Sequence, residues 1–186
     1  MAAITVSRKL GSLGNQIAQA VAETLSYRIV SRKVINRAAC HSRAPEAALA
    51  DIDDLGFFGL RPSYRARKAY RQAVELVLRE FASEGKVIIV GRAGQIVLRD
   101  QPEILHVRVI APVNLRITRI AAAQSISTAA AKAQIEQSDR ARHSYLRRTY
   151  HVDWEDPELY DLTINTEHLN AVTASAIIIH ALSQRL

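Results

Sequence analysis

The chain has 186 residues, of which 48% are hydrophobic and 23% charged, and it carries a formal net charge of +7. These proportions exclude a disordered chain and are typical of a single globular domain, and the positive charge favours anionic partners. The single cysteine, Cys40, excludes an internal disulfide, and neither a signal peptide nor a membrane span is predicted, so we expect a cytoplasmic protein without a membrane partner.

Strand and helix signals alternate along the chain. Residues 3–7 form an apolar strand pattern, and the four-residue spacing of Ile17, Val21 and Leu25 predicts a helix over 15–25. The next predicted elements are a strand over 27–30, a helix over 32–39 capped by Ser31, a helix from Ser63 to about residue 82 that Gly85 ends, and a strand over 86–90. The last elements are a short helix to Leu98, a strand over 104–110, helices from Pro112 to about 123 and from Ser127 to about 150, a strand over 161–165 and a helix over 170–182.

The long helix after Ser63 carries a predicted buried stripe, formed by Ala69, Val74, Val77, Leu78 and Phe81. Alternating strands and helices with near-continuous apolar strands predict an α/β fold, with a parallel sheet covered by helices on both sides. Ligands of such sheets bind beyond the carboxyl ends of the strands. The loops after Ser7, Val90 and Ile110 are therefore expected at the binding edge.

A glycine-containing loop separates the first strand from the first helix. Its sequence is Arg8-Lys9-Leu10-Gly11-Ser12-Leu13-Gly14. Such a loop aims backbone N–H groups and a helix N-terminus at one point, where a phosphate could bind, although a simple tight turn has the same pattern. Against the P-loop pattern G-x-x-x-x-G-K-[ST], with Gly14 as the second glycine, Lys9 stands at the first glycine, Asn15 at the lysine and Gln16 at the hydroxyl residue.

A second glycine follows the predicted strand over 86–90. Gly91 lets the chain turn sharply, and Arg92 after it is placed to hold a phosphate, or is a surface residue. Two basic clusters are candidates for anion binding or ordinary solvated helix faces. The first contains Arg61, Arg65, Arg67, Lys68 and Arg71, and the second contains Arg140, Arg142, His143, Arg147 and Arg148. The histidines show no metal-ligand spacing, and no metal site is predicted from protein ligands.

The chain resembles the cytidylate kinase-like family, a branch of the P-loop nucleoside-monophosphate kinases. Three blocks carry the resemblance: residues 4–14, the segment Val87-Ile88-Ile89-Val90-Gly91-Arg92, and a long block from Tyr145 to Thr166 that includes Val152-Asp153-Trp154 and Asp156-Pro157-Glu158-Leu159-Tyr160. The resemblance covers nearly the whole chain. It implies the P-loop kinase fold, with a helical acceptor-nucleotide region over 31–84 and a helical lid over 124–150.

The resemblance also implies roles for particular residues. Arg92 would contact the acceptor phosphate, and lid arginines would close over the transferring phosphoryl group, with Arg140 and Arg142 as first candidates, then Arg147 and Arg148. ATP phosphates, with Mg²⁺, would bind the first loop. The residues implied there are Arg8, Lys9, Gly11, Ser12, Leu13, Gly14, Asn15 and Gln16.

Several positions depart from the family pattern. Asn15 supplies an amide in place of a cation, and Gln16 lacks the hydroxyl that ligates Mg²⁺, which puts a bound Mg²⁺ in question. Ser31 stands where the family often has aspartate, and Ala93 replaces the acid of the G-R-D motif. Lys9 and Arg8 are the cations within the loop that could compensate.

Three functions are consistent with these observations. The first is a nucleotide kinase that transfers the γ-phosphoryl group of ATP to a nucleoside monophosphate, with cytidine as the base that the family suggests. The second is a non-catalytic homologue that binds a nucleotide or another phosphorylated ligand. The third is a basic module that binds nucleic acid or a protein partner. It is the least favoured, because the basic helix has few aromatic residues for stacking on bases. The sequence leaves homo-oligomerisation open.

Overall fold

The computed structural model of the protein describes residues 2–31 and 64–185. The first half of this part contains β1 (Ala3–Arg8), α1 (Gly14–Leu25), β2 (Arg28–Val30), α2 (Tyr64–Glu84), β3 (Val87–Val90) and α3 (Gly94–Val97). The second half contains β4 (Ile104–Ile110), α4 (Val113–Gln124), α5 (Thr128–Tyr150), a 3₁₀ turn (Pro157–Leu159), β5 (Leu162–Asn165) and α6 (Ala171–Ser183).

The strands form one parallel five-stranded sheet in the order β2-β3-β1-β4-β5. β1 lies at the centre, where Ile4 pairs with Ile88 of β3 on one side and with Leu105 of β4 on the other. All carboxyl ends therefore meet at the same edge. The predicted α/β class with a parallel sheet between helices is confirmed.

Alternate strand residues divide the core into two layers, because successive side chains point to opposite faces of the sheet. Ala3, Val87 and Ile89 face α2 and α3. Ile4 and Val6 face α1 and α6, where Ile17, Val21 and Ile178 pack against them. A smaller apolar cluster of Ile120, Ala131 and Ile135 joins α4 to α5.

Most predicted elements differ from the observed ones by one or two residues. Ser127 caps α5 by accepting a hydrogen bond from the Ala130 N–H at 3.2 Å, and Asn170 caps α6 in the same way through Thr173. Pro112 is the residue before α4 rather than its first turn. Within α2, Ala69 is exposed and Tyr70 is buried in its place, so the predicted stripe was wrong at that position. The predicted helix over 32–39 lies outside the described residues.

Candidate functional site

The β1–α1 loop leads from the centre of the sheet to the start of α1. Leu13 precedes the helix with a φ of 65° and provides no side-chain cap, so no capping side chain covers the first N–H groups of α1. Gly14 is the first helical residue, followed by Asn15 and Gln16, both exposed. The helix N-terminus thus faces the carboxyl edge of the sheet, as the sequence predicted for a phosphate-binding loop.

Ser12 holds the loop in shape and is fully buried. Its hydroxyl lies 2.8 Å from the Lys9 carbonyl and 3.0 Å from the Val109 carbonyl, and its N–H donates to the same Lys9 carbonyl at 3.2 Å. Thr166 donates its hydroxyl to the Ser12 carbonyl at 3.1 Å. The side chain of Ser12, predicted to bind phosphate, is therefore engaged with the backbone of the loop and of β4.

Two arginines of α4 brace the loop from outside. Arg116 donates to the carbonyls of Ala111 and Leu10 at 3.1 and 3.3 Å. Arg119 donates to the Thr166 hydroxyl and carbonyl at 2.9 and 2.8 Å. Neither arginine was identified from the sequence as part of the site, and both satisfy carbonyl groups that support the loop.

Arg8 crosses the start of α1. Its Nε donates to Oδ1 of Asn15 at 3.0 Å. A Cβ atom placed on Gly14 would lie 2.5 Å from Cβ of Arg8, and one placed on Gly91 would lie 2.8 Å from Nη1 of Arg8. The two glycines therefore leave room for the Arg8 side chain to run from the helix N-terminus to the loop after β3.

That second loop has an unusual backbone. Gly91, Arg92 and Ala93 have consecutive φ values of 84°, 53° and 56°. Left-handed conformation is costly for residues with a Cβ and tends to persist where the surrounding structure enforces it, often at functional sites. Arg92 is 6% exposed, and it lines a cleft at the carboxyl edge of the sheet.

The same cleft receives residues from β1, from α5 and from the segment after α5. Its described lining contains the cations Arg8, Arg92 and Arg142 and no acidic residue. The other lining residues are Ser7, Gly91, Ala93, Gln95, Tyr145, Leu146 and Trp154. The sequence identified all three arginines as site residues, and the structure brings them together.

The other predicted lid arginines lie elsewhere. Arg140 is largely exposed and pairs with Glu136 one turn away at 3.7 Å, and Arg147 is also exposed. Residues two positions apart on a helix are separated by about 200° around its axis, so Arg140 and Arg142 point in different directions. In this conformation only Arg142 of the predicted lid arginines lines the cleft.

Trp154 closes one wall of the cleft and is 3% exposed. Its indole N–H donates to the Ser7 hydroxyl at 2.8 Å, and its carbonyl accepts from the Tyr160 hydroxyl at 2.9 Å. Gln95 donates to the Tyr160 oxygen at 3.4 Å, and burial raises the pKa of Tyr160. No local pattern in the sequence predicted this network, although the only tryptophan of the chain lies in its most family-specific block.

Lys9 is held by an acid next to Trp154. Its Nζ lies 2.6 Å from Oε1 of Glu155, and Nη2 of Arg108 lies 3.2 Å from the same oxygen. Arg108 also donates to the Trp154 carbonyl and lies against the rings of Trp154 and Tyr160. The hydrogen bond from Lys9 lowers the pKa of Glu155. Lys9 therefore neutralises a carboxylate beside the cleft.

The donors of the cleft match the nucleotide that the resemblance implies better than they match its metal ion. Three guanidinium groups suit the phosphates of a nucleotide. For Mg²⁺ the described residues supply no dedicated protein site, because the described lining contains no carboxylate and residues 2–31 and 64–185 contain no group of three or more His, Cys, Asp or Glu side chains that could hold a metal ion.

The first basic cluster falls partly on residues that the structure does not describe, including Arg61. Arg71 donates to the Thr149 carbonyl at 3.3 Å and pairs with Glu75, so it connects α2 to α5. Arg65 and Lys68 are exposed. Among the described helices, none is both long and apolar enough to cross a membrane.

Comparisons with known proteins give a family match over most of the chain, together with relatives of two different kinds. The profile of the Cytidylate kinase-like family matches residues 3–168. A cytidylate kinase from Halobacterium salinarum is 24% identical over 96% of this chain and 88% of its own. A uronate isomerase from Corynebacterium glutamicum is 36% identical over 104 residues, and the chain spans only 19% of that protein.

Solved structures share the fold. An uncharacterized protein from Eubacterium ventriosum superimposes with a TM-score of 0.79 at 19% identity, with 98% of each chain covered. A shikimate kinase from Acinetobacter baumannii superimposes with a TM-score of 0.56 at 17% identity, covering all of this chain and 94% of its own. At these identities the likeness establishes the P-loop kinase fold.

Proposed function

The chain belongs to the cytidylate kinase-like family, and we propose that it transfers the γ-phosphoryl group of ATP to a nucleoside monophosphate, with a cytidine nucleotide as the first candidate. One observation carries the proposal. Arg8, Arg92 and Arg142 come from three separate elements to one cleft whose described lining contains no acid. Phosphoryl transfer between two anionic substrates needs positioned positive charge more than it needs covalent chemistry.

In the proposed reaction an oxygen of the acceptor phosphate bonds to the γ-phosphorus, while the bond from that phosphorus to the β,γ-bridging oxygen breaks. The products are ADP and a nucleoside diphosphate. Arg92, fixed in the loop after β3, would orient the acceptor phosphate. Arg142, on the predicted lid helix, would offset charge on the transferring group. No step is assigned to Mg²⁺, because the described residues supply no carboxylate to the cleft.

The test measures formation of ADP and of the phosphorylated acceptor from ATP with a panel of nucleoside monophosphates. Shikimate belongs in the panel, because a shikimate kinase shares the fold. Arg142→Gln should lower kcat about a hundredfold or more, because it removes a charge at the transition state. Arg140→Gln is the matched control on the same helix and should change kcat less than about threefold, because Arg140 pairs with Glu136 in solvent. Equal losses in both variants, or no turnover with any acceptor, contradict the proposal.

A second candidate is a protein that binds a nucleotide without transferring phosphate. The observation that favours it is the pairing of Lys9 with Glu155, together with the uncharged Asn15 at the lysine position of the loop. It predicts a thermal stabilisation by ATP that grows as RT ln(1 + [L]/Kd), with no ADP formed. Turnover by the wild-type protein excludes it.

A further inference from the structure

The β1–α1 loop needs a cation for the donor phosphates, and position 15 does not supply one. Among the residues that the structure describes, Lys9 and Arg8 are the cations within the loop, and Arg116 and Arg119 contact it from outside. The α4 arginines donate to the carbonyls of Leu10, Ala111 and Thr166, and Arg116 also pairs with Asp139 at 2.9 Å. Their guanidinium groups are therefore engaged with carbonyls of the loop and its neighbours and, for Arg116, with a carboxylate.

Lys9 is also engaged in an ion pair. Its ammonium lies 2.6 Å from Glu155, whose pKa is lowered mainly by that contact. The side chain of Lys9 is 22% exposed and is absent from the described lining of the cleft. For Lys9 to reach a phosphate it would first have to leave the carboxylate, at the cost of a charge-assisted hydrogen bond.

Arg8 has the position that the missing cation requires. Its stem lies against Gly14, the first residue of α1, and its Nη1 reaches the space beside Gly91. Its Nε is held by Oδ1 of Asn15 at 3.0 Å, and the side chain lines the same cleft as Arg92 and Arg142. The guanidinium group therefore spans the opening between the N-terminus of α1 and the loop after β3.

We propose that Arg8 binds the donor phosphates in place of a P-loop lysine, and that Asn15 is the positioning residue that aims its guanidinium group. The inference rests on the proposed nucleotide binding and assigns its main cation. An arginine at position 8 and a lysine at position 15 are two alternative ways to place a cation at the N-terminus of α1. A lysine at position 15 would put its ammonium group where the Arg8 Nε–H now donates to Asn15. Asn15 then has a function of its own, which is to orient Arg8, and its presence is more than the absence of a lysine.

The test uses equilibrium binding of ATP and of inorganic triphosphate, followed by the fluorescence of Trp154, the only tryptophan of the chain and part of the cleft wall. Arg8→Gln should weaken binding of both ligands about tenfold to a hundredfold, as expected for loss of hydrogen bonds from a charged group. Lys9→Gln in the same loop should change it less than about threefold, because Lys9 faces Glu155. Where Arg8→Gln weakens ATP binding more than tenfold, the double variant Arg8→Gln/Asn15→Lys should bind ATP at least tenfold more tightly than Arg8→Gln. The reason is that the lysine returns a cation to the helix N-terminus.

Arg8→Lys guards against a folding artefact, since it keeps the charge and should bind ATP more tightly than Arg8→Gln at equal thermal stability. For Asn15, replacement by leucine should raise KM for ATP severalfold while leaving KM for the acceptor unchanged, a split that a purely structural role would not produce. ATP binding that is insensitive to Arg8→Gln, or equally sensitive to Lys9→Gln, overturns the inference and leaves the proposed function standing. No ATP binding by the wild-type protein overturns both.

Discussion

Arg8, Arg92 and Arg142 are positioned in three different ways. The amide of Asn15 orients Arg8, the left-handed backbone of the Gly91 loop places Arg92, and the helix α5 carries Arg142. Concentrating three guanidinium groups in a partly dry cleft costs desolvation and mutual repulsion, which an anionic ligand offsets. These three charges are therefore expected to make the ligand-free protein less stable than the protein with an anion bound in the cleft.

The Lys9–Glu155 pair gives a prediction for single residues. Glu155→Gln should lower the free energy of unfolding by about 1 kcal/mol or less at pH 7, because the pair is partly exposed. Lys9 lowers the pKa of Glu155 in the folded state. The stabilisation is therefore present above the usual carboxyl pKa of about 4.3 and is lost as the pH falls through the lowered value.

Urea unfolding at pH 7, 5 and 3 checks this pH dependence. The difference between wild type and Glu155→Gln should be largest at pH 7 and should become smaller as the pH falls. Glu158→Gln is the control, since Glu158 is exposed in the 3₁₀ turn. A difference that stays constant with pH would show that the variant acts through something other than the ion pair.

For single residues, the sequence predicted the cations that follow the strands, but it did not predict the residues that form the walls of the cleft. Arg8 and Arg92 lie directly at strand ends, so the direction of the sheet predicts their edge. Tyr145 and Trp154 reach the cleft only through the packing of α5 and the segment after it, and Gln95 reaches it from α3, which local patterns do not encode. The choice between Arg140 and Arg142 likewise depended on which face of α5 packs inward.

Among the elements, β4 carries a buried histidine that connects it to β1. Nδ1 of His106 lies 2.7 Å from the Thr5 hydroxyl, and the backbone N–H of His106 donates to Oδ2 of Asp161 at 2.7 Å. Burial is the main cause of its lowered pKa, which the Arg185 charge lowers further and the Asp161 carboxylate opposes. The folded protein therefore holds this imidazole in its neutral form near neutral pH.

A titration of stability tests the role of His106. Below pH 6.5 the unfolded chain takes up a proton at this residue before the folded protein does, so stability should fall as the pH decreases through this range. His106→Asn should flatten the decrease between pH 7.5 and 5.5, measured as the free energy of unfolding in urea. His168→Asn, at an exposed residue, should leave the slope unchanged. An unchanged slope in His106→Asn would contradict the assignment.

The elements themselves followed from periodicity to within a residue or two, because caps and glycines mark their ends. Ser127 and Asn170 are such caps, and Gly85 ends α2 with a φ of 69°. Ala69 was misplaced because Ala and Tyr at adjacent positions of an amphipathic helix compete for the buried face. The bulky Tyr70 occupies it, at 1% exposure, because it fills the space above β3.

For the whole molecule, one ion pair joins the loop, α4 and α5. Arg116 is buried, donates to Leu10 of the loop and pairs with Asp139 of α5 at 2.9 Å. Asp139→Asn should cost about 1–3 kcal/mol of unfolding free energy, because the buried guanidinium group loses its counter-charge but keeps its carbonyl partners. Hydrogen exchange should accelerate together in residues 9–14 and in α5.

Glu136→Gln is the matched control on α5, since its partner Arg140 is exposed, and it should change stability by less than about 0.5 kcal/mol. Faster exchange in α5 alone would mean that Asp139 fixes the helix without supporting the loop.

At the scale of the molecule the sequence predicted the layers and the parallel sheet, because alternation and buried strands require them. The junction between α4 and α5 was not predictable, since it depends on charges 23 residues apart in the chain.

The contacts that shape the β1–α1 loop have a consequence for how such proteins change over evolutionary time. Ser12, Thr166 and Arg119 form the framework of the loop through buried hydrogen bonds, and none of them lines the described cleft. Substitutions at positions 8, 15 and 16 can therefore accumulate without unfolding the loop. A lineage can exchange the charged and polar groups at these positions through intermediates that remain folded at every step.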